Sequence, residues 1–133
     1  MGLARRLAAA VIGAPCPLPP GLARIHPQLA AVRLRRGGIL PRAGGWCLGR
    51  ATVGAITLGR TVWLGAREPV SADLLLHEFC HVTQFQADPL FPLRYVWESL
   101  RRGYGANRFE IAAREYARAA SRGPRPGSLS EDV

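Results

Sequence analysis

Residues 77–81 read His-Glu-Phe-Cys-His, and this H-E-x-x-H pattern is the part of the chain best suited to chemistry. On a helix, residues four apart lie one turn apart on the same face, so His77 and His81 can both reach one Zn²⁺. Glu78 lies about 100° round the helix from His77. There its carboxylate can take a proton from a water that the metal activates. The pattern predicts a zinc site with His77 and His81 as ligands and Glu78 as general base.

The sequence around the motif favours a zinc helix over two histidines in an ordinary core. Three leucines precede His77, Val82 follows His81, and proline is absent between them. Two imidazoles and a carboxylate are costly to bury in such a helix unless a charged group pairs with them. Asp73 and Gln84 fall on the same stripe as the histidines, where they could hydrogen-bond the rings from behind.

A catalytic zinc needs a third protein ligand, and the sequence offers more than one candidate. His26, the remaining histidine, falls in an irregular N-terminal region, and the metzincin spacing fails because Ala87 occupies its ligand position. This leaves Glu110 or Glu115, both in a predicted C-terminal helix, with Glu110 bordering the apolar face of that helix. Glu110 also has a structural alternative, because Asn107 and Glu110 are spaced as a helix capping box.

The elements around the motif predict an α+β domain, with a small antiparallel hairpin followed by three helices. We expect strands at 52–58 and 61–64, joined by Gly59-Arg60, because glycine in the first position is typical of a type II′ turn. We expect helices at 71–86, 92–102 and 107–121, with Ser71 as N-cap of the first.

The length of 133 residues suits one domain. We divide the chain into an Ala/Pro-rich N-terminal segment (1–30), a metal-binding domain (31–121) and a flexible tail (122–133). No apolar stretch approaches the roughly 20 residues of a membrane-spanning helix, so we predict no membrane span.

The net charge of +9 comes from 18 Arg against nine acids, without a single Lys. Residues 1–67 hold ten of the Arg and no acid. A basic surface for nucleic acid or anionic lipid therefore stays open. The sequence lacks both the aromatic-basic interleaving of stacking platforms and the paired cysteines of zinc fingers, which argues against nucleic acid as the partner.

Cys16, Cys47 and Cys80 are odd in number and widely spaced, which indicates reduced thiols rather than a disulfide framework. We therefore expect a cytoplasmic protein. Secretion is the alternative, because Arg5-Arg6 before the apolar residues 7–14 has the order of a signal peptide. That apolar stretch is short, however, and no small-x-small cleavage site follows it.

The segment LLLHEFCHVTQ, preceded by AITLGRTVWLG and followed by YGANRFEIAAREYA, resembles the gluzincin metallopeptidases in miniature. It is most similar to a bacterial domain-of-unknown-function family with H-E-x-x-H-x-x-Q, of the minigluzincin type, which also occurs in contractile injection system cargo. The resemblance spans about residues 32–119. It implies a zincin-like fold, Zn²⁺ bound by His77, His81 and Glu110, and Glu78 as general base. The family's usual Asn-Pro-Phe-Glu is Asn-Arg-Phe-Glu here.

The sequence therefore predicts a zinc metallopeptidase that acts on a peptide or protein substrate. The alternative is a zinc-bound binding or scaffold domain without proteolysis. Glu78 favours the hydrolase, because a structural zinc site needs no base and usually fills its fourth position with protein. Tyr104, Tyr116 and Arg114 are the candidate donors to an oxyanion. The sequence does not determine the substrate or the oligomeric state.

Overall fold

A computed structural model describes residues 2–41 and 54–122, which form α-helices, a 3₁₀ helix and a four-stranded sheet. In chain order the elements are α1 (Leu3–Ile12), β1 (Ala14–Pro15), α2 (Pro20–Ile25), the 3₁₀ helix (Pro27–Ala31), β2 (Arg33–Arg36), β3 (Ala55–Leu58), β4 (Thr61–Leu64), α3 (Ala72–Ala87), α4 (Phe91–Arg102) and α5 (Arg108–Ser121). The predicted α+β class is confirmed.

The sheet has the strand order β1-β2-β4-β3, so β3 lies at one edge. Strands β3 and β4 form the predicted antiparallel hairpin, with Leu58 opposite Thr61. Gly59 has a φ of +61° while Arg60 does not have a positive φ, the combination that makes glycine the favoured first residue of this turn.

The sheet extends beyond the expected antiparallel hairpin and is mixed, because β2 pairs parallel with β4. Parallel neighbours need a connection of a dozen or more residues, and the chain between Arg36 and Thr61 is long enough to supply one. Strand β1 then adds to β2 in antiparallel orientation. The N-terminal residues thus complete the sheet, and Leu29 of the 3₁₀ helix is fully buried in the core.

Helix α3 packs against the sheet and carries the histidine motif. The Ser71 hydroxyl accepts a hydrogen bond from the Leu74 amide at 3.2 Å, which caps the helix where the sequence predicts. Its buried apolar side chains are Leu75, Leu76 and Val82, and they join those of β2 and β4 in one core.

Helices α4 and α5 are joined at a corner that Asn107 fixes. The side chain of this fully buried residue accepts from the Phe109 amide at 2.9 Å, which caps α5. Its amide nitrogen donates to the Tyr95 carbonyl at 3.2 Å and the Ser99 hydroxyl at 2.9 Å. Because Asn107 holds both helices, the start of α5 lies at a fixed place beside α4.

The predicted helix bounds agree with the structure to within one residue. Thr52, Val53, Cys47 and the tail beyond Arg122 lie outside the described residues. None of the described helices is both long and apolar enough to cross a membrane.

Candidate metal site and cleft

Helix α3 places His77, Glu78 and His81 together as the spacing predicts. One potential ligand atom from each residue lies within 4.8 Å of the others. The two imidazoles meet edge to face, with ring centroids 5.0 Å apart. A cluster of two histidines and a carboxylate in this geometry could hold a metal ion.

Glu110, from the first turn of α5, meets both histidines with its carboxylate. Its Oε2 lies 2.9 Å from His77 Nε2, and its Oε1 lies 3.0 Å from His81 Nε2. Tetrahedral zinc with bonds of about 2.0–2.2 Å holds its ligand atoms roughly 3.3–3.6 Å apart. The donor types fit zinc, and their separations differ from that value by only a few tenths of an ångström.

The capping-box alternative for Glu110 is only half present. Asn107 caps α5 through its side chain, but its backbone N–H donates to the Tyr104 carbonyl at 3.3 Å. The Glu110 carboxylate is instead engaged by the histidines and by Tyr95. Glu115 is exposed on the same helix. The geometry therefore favours Glu110 over Glu115 as the residue facing the histidines.

Gln84 fixes the protonation of His81. Its side-chain Nε2 donates to the Phe109 carbonyl at 3.2 Å, so its amide oxygen is the atom 2.7 Å from His81 Nδ1. An amide oxygen only accepts, so His81 Nδ1 must carry a proton. In a neutral imidazole the other nitrogen, Nε2, then has a lone pair and no proton. This lone pair faces the Glu110 carboxylate at 3.0 Å.

Two facing lone pairs in a buried place require a cation between them. His81 is 6% exposed and Glu110 is 3% exposed, so water cannot screen the repulsion well. The cation is either a second proton on His81 or a metal ion. This requirement is the strongest physical indication of a metal site in the described part of the chain.

The pKa directions agree with that requirement. Burial alone would raise the pKa of Glu110, but the hydrogen bonds with His77 and His81 hold it well below its usual range. Burial alone would lower the pKa of His81, yet the nearby carboxylates of Glu110 and Glu78 raise it. The site therefore keeps Glu110 negative and attracts positive charge.

Tyr95 of α4 is a site residue that sequence reasoning missed. Its hydroxyl donates to Glu110 Oε1 at 2.6 Å, and its ring meets His81 edge-on with centroids 5.9 Å apart. Burial and the Glu110 carboxylate raise the pKa of Tyr95, so it remains a donor. The i, i+4 aromatic pair Phe91 and Tyr95 is the signal that could have indicated this helix face.

Asp73 does not support a histidine as expected, because its carboxylate accepts from the Ser121 hydroxyl. Glu78 is buried and its Oε2 accepts from the Thr57 hydroxyl at 2.6 Å. Burial raises the pKa of Glu78, which increases its affinity for a proton. Thr57 belongs to β3, so the edge strand positions the candidate base.

A cleft of about 910 Å³ opens over these residues, lined by parts of β3, α3, α4 and α5. Its walls are mostly apolar, with His77, Glu78 and Glu110 among the polar lining. The predicted oxyanion donors Tyr104 and Arg114 line it as well. Tyr116 does not, since its ring lies against Phe79 and its hydroxyl accepts from Gln28 at 3.2 Å.

Comparison with known proteins gave no match to a family model, a curated protein or a solved structure. The resemblance to gluzincins stays a prediction that rests on the motif and its surroundings. What the structure supplies is a cluster of His77, Glu78 and His81 able to hold a metal ion, in an α+β fold.

Proposed function

We propose that this chain is a zinc-dependent peptide hydrolase in which His77, His81 and Glu110 bind the metal and Glu78 is the general base. One observation carries the proposal. The buried His81 Nε2 faces the Glu110 carboxylate while Gln84 takes the only proton of the neutral ring. A zinc ion would satisfy His77, His81 and Glu110 at once. Two histidines with one carboxylate are a common set of catalytic zinc ligands.

When bound, zinc supplies a Lewis acid that polarises a carbonyl and lowers the pKa of a water toward about 7. The chain itself supplies the proton acceptor. Thr57 holds one carboxylate oxygen of Glu78 at 2.6 Å, which orients the group, and burial raises its pKa toward the range useful for a base. Glu78 can then take a proton from water and return it to the leaving amine.

The cleft suits an extended peptide. Among the described strands β3 pairs with β4 alone, so no described strand covers its other edge, and its residues line the cleft. A peptide lying along β3 would pair with its backbone and place side chains against the apolar walls. Arg114 lines the same cleft, and its guanidinium donates to the Gly105 carbonyl at 2.7 Å, which holds it in place.

Elemental analysis and cleavage of a broad peptide library, each with and without a zinc chelator, test the proposal. We expect one zinc per chain and cleavage that the chelator abolishes. Glu78→Gln should keep the zinc and lose about 10²–10⁴-fold in turnover. Glu115→Gln, the same change at an exposed position of α5, should behave like the parent.

Two results would contradict the proposal in different ways. Zinc absent from the purified protein, and not taken up on addition, would remove the metal site. Tight zinc binding with no cleavage of any library peptide would instead identify a zinc-bound binding or scaffold domain.

A further inference from the structure

Helix α4 presents an apolar face to solvent. Its exposed large side chains, together with the residue that precedes the helix, are between 53% and 79% exposed: Leu90, Leu93, Val96, Trp97 and Leu100. At about 100° per residue, the four within the helix lie in an arc of roughly 100°. They form one continuous stripe, which we call the α4 outer face.

The opposite side of α4, which faces the protein, carries the buried Phe91 together with several polar side chains. Glu98 is 5% exposed, and Tyr95 and Ser99 contact Glu110 and Asn107. A surface helix ordinarily turns its apolar stripe to the core and its polar side to water. Helix α4 buries Phe91 but leaves its larger apolar stripe in solvent, so core packing does not account for the exposed side chains.

Cations border the outer face. Arg94 and Arg101 lie at about 90–110° from the middle of the stripe. Arg94 pairs with Asp88 at 2.6 Å, and Arg101 makes no ion pair with any described residue. Long arginine side chains at the border of an apolar stripe can reach phosphate groups above it.

The carboxylates near the outer face, Asp88 and Glu98, both form ion pairs with arginines. Glu98 is buried and lies between Arg102 and Arg108, at 3.6 Å and 3.7 Å from their Nε atoms. With Asp88 included, the four arginines of residues 88–108 exceed the two acids there by two charges. An anionic surface would therefore meet apolar side chains and net positive charge, with no free carboxylate between them.

We propose that the α4 outer face binds peripherally to an anionic lipid bilayer, with Trp97 and the leucines at the level of the headgroups. Helices that lie in the membrane interface typically carry Trp and Leu on one face and arginines beside it. A second copy of the chain is a less suitable occupant, because each copy carries a net charge of +9 and the two would repel.

Helix α4 contributes both to the cleft over the candidate metal site and to the α4 outer face. Val96 and Leu100 line the cleft as well as belonging to the outer face. Membrane binding would therefore bring the mouth of the cleft close to the lipid surface. The lipid contact itself needs neither metal nor catalysis, so it is testable even if the proposed hydrolase activity fails.

Co-sedimentation with phosphatidylcholine vesicles, with and without phosphatidylglycerol, tests the proposal. We expect binding only to vesicles with phosphatidylglycerol, weakening at higher ionic strength. The double variant Leu93→Gln/Leu100→Gln should bind at least about tenfold more weakly. Trp97→Phe should remove the blue shift of tryptophan emission that the parent shows on vesicle addition.

The matched control is Leu3→Gln/Leu7→Gln. These leucines are also exposed, on α1 beside Arg5 and Arg6, so the control makes the same chemical change on another basic helix. It should leave binding unchanged. All four leucines are exposed, so thermal melting of both double variants should match the parent.

Three outcomes would overturn the proposal. The first is no binding to either vesicle, and the second is equal binding by Leu93→Gln/Leu100→Gln and the parent. The third is a parent that is a dimer in sedimentation velocity and becomes a monomer in this variant. That result would assign the outer face to a second copy of the chain.

Discussion

Replacing Tyr95 by Phe removes one hydroxyl from behind the candidate metal site and leaves the rest of the side chain in place. The ring keeps its edge contact with His81, at 5.9 Å between centroids, and its packing against Phe91. What is lost is the 2.6 Å hydrogen bond to Glu110 Oε1. Glu110 then faces the histidines without the donor that orients its carboxylate.

The size of the effect follows from two independent estimates. A hydrogen bond to a charged group contributes about 1.5–3 kcal/mol, and each 1.4 kcal/mol is about tenfold in an equilibrium constant. Loss of an outer partner of a metal ligand typically costs about 10–100-fold in metal affinity. Because the hydrogen bond exists before metal binds, part of its loss appears as lower stability of the metal-free protein. We therefore expect about a tenfold loss of zinc affinity.

The assay is competition for zinc with a chromophoric chelator, together with thermal melting of the metal-free protein. Tyr116→Phe is the matched control, because the Tyr116 hydroxyl contacts Gln28 away from the cleft. It should change zinc affinity less than about twofold, since it loses only a neutral hydrogen bond distant from the metal. If Tyr95→Phe binds zinc as tightly as the parent, the reasoning that Glu110 is an oriented ligand is refuted.

Three further predictions concern the residues around the site. Glu110→Ala should lose stoichiometric zinc by elemental analysis, whereas a residue that only caps α5 would cost about 0.5–2 kcal/mol and leave the zinc bound. Asn107→Ala should lower the free energy of unfolding by about 2–4 kcal/mol in urea titration, because it removes the cap and two buried hydrogen bonds; a loss below about 0.5 kcal/mol would contradict this. Thr57→Val should keep the zinc and slow peptide cleavage about tenfold through loss of the bond to Glu78, and unchanged cleavage would show that Thr57 does not orient the base.

Local signals in the sequence predicted the three helices that follow the sheet and half of the site. Ser71 and Asn107 are good N-caps, and each lies directly before the helix that it was expected to start. The i, i+4 spacing of His77 and His81 places both on one face of α3 whatever surrounds the helix. These inferences needed only the geometry of a single helix.

The remaining features depend on contacts between distant parts of the chain. The parallel pairing of β2 with β4 is set by how the chain crosses over, and no local pattern in Arg33–Arg36 encodes it. Tyr95 reaches Glu110 only because α4 and α5 meet at the Asn107 corner. Asp73 has helical spacing suited to support a histidine, but the C-terminus of α5 places Ser121 within its reach instead.

The corner between α4 and α5 assembles the site as much as the histidine motif does. Asn107 holds α5 against the Tyr95 carbonyl, and the hydroxyl of the same tyrosine donates to Glu110. The Phe109 carbonyl, one residue before Glu110, orients Gln84 and through it the proton on His81. Three residues at the start of α5 thus cap the helix, set the tautomer of one histidine and supply the carboxylate. The Phe109 carbonyl, through Gln84, keeps the proton on Nδ1 of His81, and the Glu110 carboxylate is the reason that Nε2 needs a cation. Helix α3 alone therefore has the spacing of a metal site but not its chemistry.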